Sequence, residues 1–342
     1  MEIKEYICEL VFNNKAQKLS KAVSDQFGIS RQAAQKHIRK LIDAGILIMS
    51  GATNAATYKL ALLVDEYQKF ELLPKLDEDE VWRSFVRPKL DDIPHNIISI
   101  CQYGFTEMFN NVIDHSEGKL AFVTVQRSAF HVEINVKDDG IGIFRKIRRD
   151  FGLDDERHAI LELSKGKLTS DPSRHSGEGI FFTSRVFDRF AILSGKQYFS
   201  HTVEHDDWLL DVDENSQGTT VSMEIRLSTK RNSQEIFEEY ATIDHPGFYK
   251  THVPVALAQY GDENMVSRSQ AKRVLVRVDK FTEVILDFKG VSEVGQAFVD
   301  EIFRVFSQNH PDIHLFYVNA NESIEWMIKR TLVSIGKSGF SM

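Results

Sequence analysis

Over the first sixty residues, apolar positions recur every three to four residues in three short blocks, the spacing of one buried face on each of three helices. Residues 2–12 predict a first helix, and Lys18–Phe27 a second with Leu19, Ala22, Val23 and Phe27 on one stripe. Gly28 and Ile29 make a turn, and Ser30 caps a third helix that runs to about Asp43. There Ala33, Ala34, His37, Ile38, Leu41 and Ile42 take the inward positions and leave Arg31, Gln32, Gln35, Lys36, Arg39 and Lys40 outside. The period then shortens to two: Ile46–Met49 and Tyr58–Leu60, around a Gly51-rich turn, predict a strand pair. Residues 64–73 read as extended, Pro74 breaks them, and Asp77–Glu80 opens a short helix with Trp82 and Phe85, so 64–91 is expected to be a connector.

A helical pattern around residue 105 buries Cys101, Phe105, Met108, Phe109 and Val112 and sets Glu107, Asn111 and His115, spaced by four, on the opposite side. An Asn oxygen is a suitable hard ligand for Mg2+, and a carboxylate one turn away can orient or deprotonate a water. An alternating strand from Val132 then runs into the turn Asp138-Asp139-Gly140-Ile141-Gly142. A carboxylate at a strand end can accept the exocyclic amine of adenine, and glycines let the backbone pass close to a ring and sugar. The third segment, Ser176-Gly177-Glu178-Gly179, precedes a helix that continues to Phe187. Backbone amides at such a helix start suit phosphates.

In this order, the three segments resemble the ATP-binding domain shared by gyrase, the heat-shock chaperone of ninety kilodaltons, histidine kinases and MutL, the GHKL or Bergerat fold. The resemblance covers about residues 92–228. It implies ATP and Mg2+ as cofactors, Glu107 as the catalytic carboxylate and Asn111 as the Mg2+ ligand. It further implies Asp138, Gly140 and Gly142 around adenine, Gly177 and Gly179 over the phosphates, and Thr220 supporting adenine through water. Residues 144–175 would form the lid, whose Lys165, Lys167 and Arg174 could approach phosphate. Phe181 stands near the place of a third glycine, which implies a differently shaped phosphate loop or slow turnover. No histidine-bearing dimerisation helix precedes the unit, so a conventional histidine kinase is not expected.

The N-terminal pattern resembles a winged helix-turn-helix domain of bacterial regulators, which implies DNA contact by Arg31, Gln35, Lys36, Arg39 and Lys40. A trihelical cap used for dimerisation carries the same pattern. Toward the other end, Ser267–Arg273 predicts a helix, Val284–Phe288 a buried strand, Gln296–Phe306 a helix, Ile313–Val318 a strand and Ser323–Leu332 a helix. That alternation implies a parallel sheet. Residues 284–306 resemble a STAS-type domain, the fold of anti-sigma factor antagonists. Gln296 and Ala297 stand where those antagonists carry the phosphoaccepting serine, and Ser292 is the nearby hydroxyl, so a docking or dimerisation module is expected.

Composition adds compartment and charge. With 342 residues, 42% hydrophobic and 27% charged, the chain has ample core for two or three domains and is excluded from the disordered and low-complexity classes. Its two cysteines cannot make a disulfide framework, and no segment approaches the roughly 20 apolar residues of a membrane span, so a soluble, cytoplasmic protein without membrane contact is expected. The net charge of −8 divides into +4 over residues 1–63 and −12 over the remainder, which suits nucleic-acid contact by the first unit alone.

The expected fold is a multidomain α/β and α+β chain: a winged helix-turn-helix (1–63), a connector (64–91), a Bergerat-type α/β sandwich (92–230) and a small STAS-like α/β domain (245–337). The expected function is an ATP-binding regulator with slow hydrolysis that couples nucleotide state to domain arrangement and to DNA or protein-partner binding. An anti-sigma type serine/threonine kinase acting on a separate partner, and a non-catalytic nucleotide-sensing scaffold, are the alternatives; a homodimer is left open.

Overall fold

A computed structural model describes residues 2–51, 56–169, 176–202, 208–241, 248–259 and 264–334. Three helices, α1 (Ile3–Phe12), α2 (Leu19–Phe27) and α3 (Arg31–Asp43), precede an antiparallel pair, β1 (Leu47–Ser50) and β2 (Thr57–Leu60). The turn between α2 and α3 rests on Gly28, whose φ of 63° is left-handed backbone that a side chain would strain. Ser30 Oγ accepts the Ala33 amide at 3.1 Å and so starts α3. Ile7, Val11, Leu19, Val23, Ala34, Ile38 and Leu41 form the core, while Arg31, Gln35, Lys36, Arg39 and Lys40 are exposed.

Residues 64–91 differ from the free connector that Pro74 and the acidic run suggest. Leu62–Glu71 is a strand, β3, paired antiparallel with β4 (Leu120–Ser128), and it forms one edge of the central sheet. It takes up the backbone hydrogen bonds that β4 would otherwise leave open. Beyond it, α4 (Glu78–Val81) and the turns through Leu90 bury Trp82, Phe85 and Leu90 in the core that surrounds α5 (His95–His115). The first unit is also held by side chains. Phe12 packs on Phe130 and His131 at ring distances of 5.5 and 4.7 Å, Arg189 lies 4.0 Å over Phe12, and Arg226 pairs with Glu9 at 3.4 Å.

The central sheet is antiparallel throughout, in the order β3-β4-β5-β7-β6, with β5 spanning His131–Asp138, β6 Arg189–Thr202 and β7 Trp208–Arg226. Alternation puts Val132, Ile134, Val136 and Asp138 of β5, and Thr219, Val221, Met223 and Ile225 of β7, on the buried face. That face is covered by α5, α6 (Ile143–Phe151), α7 (Glu156–Lys165) and α8 (Gly179–Val186).

After α9 (Ser233–Tyr240) comes a three-stranded parallel sheet, β10-β9-β8, of β8 (Lys250–Pro254), β9 (Glu283–Asp287) and β10 (His314–Val318). The sequence reading omits β8, whose five residues include His252 and Pro254 and show only Thr251 and Val253 as an inward alternation. Helix α10 (Arg268–Leu275) starts on a capping box of Ser267 and Gln270. It is followed by α11 (Gln296–Asp300), a π-helical stretch Glu301–Phe306, α12 (Ser307–Asn309) and α13 (Glu322–Ser334). No helix among the described residues is long and apolar enough to cross a membrane.

Candidate functional site

The α5 stripe faces a cavity of about 430 Å³ between α5, β5, β7 and α8, within the range of small-ligand sites. Glu107, Asn111, Asp138, Gly142, Gly177 and Gly179 all line it, so three separate segments of the chain meet at one place. The contact between the first and last is close. A Cβ built on Gly179 would stand 2.0 Å from Glu107 Oε2, so α8 begins directly against that carboxylate.

Asp138 is 3% exposed, and its Oδ1 accepts the amides of Gly140 at 2.8 Å and Thr219 at 3.2 Å. Burial pushes its carboxyl above the usual carboxylate range, against the pull of those donors. Gly140 stands behind this carboxylate rather than in the cavity wall. A side chain there would meet the Ser116 carbonyl at 2.0 Å, which explains the glycine.

Thr220, the threonine assigned from the resemblance, does not line this cavity. Thr220 pairs with Lys137 on the opposite face of the sheet, beside Tyr67 and Asn135. Thr219 lines the cavity, donates its amide to Asp138 and accepts the Ile143 amide on Oγ1 at 2.9 Å. The sequence carries a signal for this: Val221, Met223 and Ile225 are apolar and odd-numbered, and strand alternation puts Thr219 with them.

The lid lysines are also placed differently from the expectation. Lys165 is 1% exposed and donates to Glu162 Oε1 at 2.6 Å and to the Val276 carbonyl at 2.8 Å. Burial lowers its pKa even with Glu162 opposing. Lys167 donates to the Lys280 carbonyl at 3.0 Å. Neither lines the cavity, because both point to the C-terminal unit; Arg174 lies outside the described residues. Among the described residues, the cation in the cavity wall is Lys146 of α6, which pairs with Glu117 at 3.1 Å and Asp150 at 3.2 Å. Charge and spacing alone did not single it out from its neighbours Arg145, Arg148 and Arg149. Phe181, near the place of a third glycine, is 1% exposed and packs in an aromatic cluster with Tyr240, edge to face at 5.0 Å, and Phe248, tilted at 4.4 Å.

At the C-terminal unit, Ser292 is exposed, its carbonyl accepting the Asn321 amide at 2.8 Å, and Gln296 opens α11. Residues 270–325 match the family described as a STAS-like domain of unknown function (DUF4325). The match spans most of α10, β9, α11, β10 and the start of α13, and gives the C-terminal unit a STAS-like assignment. No curated protein matches the chain.

Proposed function

We propose that the central unit binds ATP with Mg2+ in the α5–α8 cavity, hydrolyses it slowly, and passes its nucleotide state to the flanking units. The observation that carries this reading is the meeting of Glu107, Asn111, Asp138, Gly142, Gly177 and Gly179 around one cavity. Asp138 Oδ1 is occupied by two amides, which leaves Oδ2 to accept an adenine amine. Asn111 and Glu107 supply one neutral and one anionic oxygen donor at adjacent turns. Among the described residues no group of three or more His, Cys, Asp or Glu forms a ready-made cage. A metal held by Asn111 would take the rest of its shell from water and phosphate, which suits Mg2+. Glu107 would then orient the attacking water, Asn111 would hold the ion, and the amides at the start of α8 would be the donors to the phosphates.

The flanking units take the outputs. The exposed face of α3 suits DNA, with Arg31, Gln35 and Arg39 toward base edges and Lys36 and Lys40 toward phosphates. The STAS-like unit suits a protein partner. Incubation of the purified chain with radiolabelled ATP and Mg2+ tests the reading. Release of free phosphate without labelled protein supports hydrolysis, label moving to an added partner supports the kinase alternative, and failure to retain nucleotide overturns the proposal.

A further inference from the structure

Strand β3 is the outermost strand on its side of the central sheet, paired along one edge with β4. Among the described residues its other edge pairs with no strand. Alternate amides and carbonyls along that edge point outward, a template to which another strand can add. The strand is ten residues long, and all of them except Val64 and Phe70 are exposed. Tyr67 is 60% exposed. Phe70 turns inward to Phe85 and Phe109. Alternation therefore sets Asp65, Tyr67 and Lys69 on the outer face of the sheet, where Tyr67 lies along Phe122 at 6.1 Å and Asp65 accepts from Gln126 Nε2 at 2.9 Å.

Sheet edges are commonly protected by bulges or by charges that repel a second strand. In β3 the bulge falls between Leu62 and Val64, and the strand beyond it is regular. Its charges are arranged to attract. Val64-Asp65-Glu66-Tyr67-Gln68-Lys69-Phe70 has matching chemistry on either side of Tyr67: a carboxylate and an amide next to it, then an acid and a base, then two apolar residues. In an antiparallel pair of two such strands, related by a two-fold axis at Tyr67, Asp65 of each copy opposes Lys69 of the other. Glu66 likewise opposes Gln68, and Val64 opposes Phe70. Opposite charges in that position stabilise a strand pair, and like charges destabilise it.

The same rule selects the register. A two-fold axis normal to the sheet keeps the two outer faces together, so only residues of like parity can oppose one another. Centred on Asp65, Glu66 or Lys69, the pairing sets that charge against its own copy. Centred on Gln68, it sets Asp65 against Glu71. Centred on Tyr67, it opposes no like charges and forms an acid–base pair on each side of the axis.

We infer that β3 is a self-recognition edge: a second copy of this chain adds its own β3 antiparallel about Tyr67, joining two five-stranded sheets into one. This rests on neither the nucleotide nor the DNA reading.

Sedimentation velocity of the full chain over a dilution series tests it. The parent is expected to be a dimer that dissociates on dilution. Lys69→Glu and Asp65→Lys, each alone, oppose like charges on both sides of the axis and should weaken the dimer tenfold or more. Combined in one chain, the two substitutions exchange the charges and should restore it. Mixed as separate chains, the two single variants should form a heterodimer, because every charged pair across the axis is then acid against base; that result also shows that both variants fold. A parent that stays monomeric throughout overturns the proposal. So does a dimer unmoved by either single variant, which places the contact elsewhere, or a mixture of the two variants that remains monomeric.

Discussion

Glu162 of α7 is shared across two units: its Oε2 lies 3.5 Å from Nε of Arg277 in the STAS-like unit, while its Oε1 accepts from Lys165 at 2.6 Å. Next to it, the Lys165 carbonyl accepts Thr251 Oγ1 of β8 at 2.7 Å, and Arg273 reaches Asp154 ahead of α7 at 3.6 Å. Leu163 and Leu168 of the same stretch line the α5–α8 cavity. The segment that would cover a bound nucleotide is therefore anchored from behind by the C-terminal unit, a direct physical route between the two.

Removal of one member of that buried group should be costly. Glu162→Ala leaves Lys165 buried without its carboxylate, and the expected loss is about 3–5 kcal/mol of stability. The double variant Glu162→Leu with Lys165→Met should recover part of it, since apolar replacement of a buried pair is often neutral but Arg277 still loses its carboxylate. Urea denaturation of the three proteins measures this. A loss under about 1 kcal/mol for Glu162→Ala, the range of exposed pairs, would mean that the cluster is solvated in solution.

Asp138→Asn should weaken ATP binding by about 1–3 kcal/mol, roughly 5- to 150-fold, because an amide turns a donor toward the adenine amine while still accepting from Gly140 and Thr219. Its stability should move the other way. The raised carboxyl contributes most below its ordinary value of 3.8, and that contribution is lost as pH rises through the folded-state value. The Asn variant has no such loss, so it should match or exceed the parent at pH 7, with the gain shrinking toward pH 4. Calorimetry with ATP and urea melts at both pH values check the two halves.

Glu107→Ala should retain nucleotide and lose turnover, whereas Asn111→Ala should weaken the part of ATP affinity that depends on Mg2+. Hydrolysis at the parent rate in Glu107→Ala would remove the carboxylate from the chemistry. Binding and turnover are read separately, so a variant that merely misfolds is recognised by the loss of both.

Thr219→Ala and Thr220→Ala separate the two faces of β7. The first removes the hydroxyl that accepts the Ile143 amide and should lower ATP affinity; the second alters the outer face and should leave it unchanged. The reverse pattern would return the role to Thr220.

DNA binding is expected to reside in α3. Lys36→Ala should lower affinity for all sequences and flatten the salt dependence by nearly one unit, while Arg39→Ala should also relax sequence preference. A salt series with and without a non-hydrolysable ATP analogue should show a coupling of about 1–3 kcal/mol if nucleotide state reaches this unit. No binding beyond that of the Lys36→Ala, Arg39→Ala double variant would move the N-terminal unit to protein contact.

Features set by local period and local chemistry were legible along the chain. The Ser30 cap and the inward stripe of α3, the alternation of β5, and the four-residue spacing of Glu107, Asn111 and His115 follow from backbone geometry, which acts over a few residues. Even Thr219 was available from the parity of its neighbours. Features set by partners distant in the chain emerged with packing. Leu62–Glu71 reads as an extended linker until β4 offers it an edge to pair with. Lys165 reads as a solvated lid lysine until Glu162 and the Val276 carbonyl enclose it. His252, Asp287 and Asn319, on three different strands or strand ends, become one hydrogen-bonded group only when parallel pairing aligns them. Periodicity records which face of an element is buried, but not which surface buries it. That choice is made by packing between segments the sequence keeps apart.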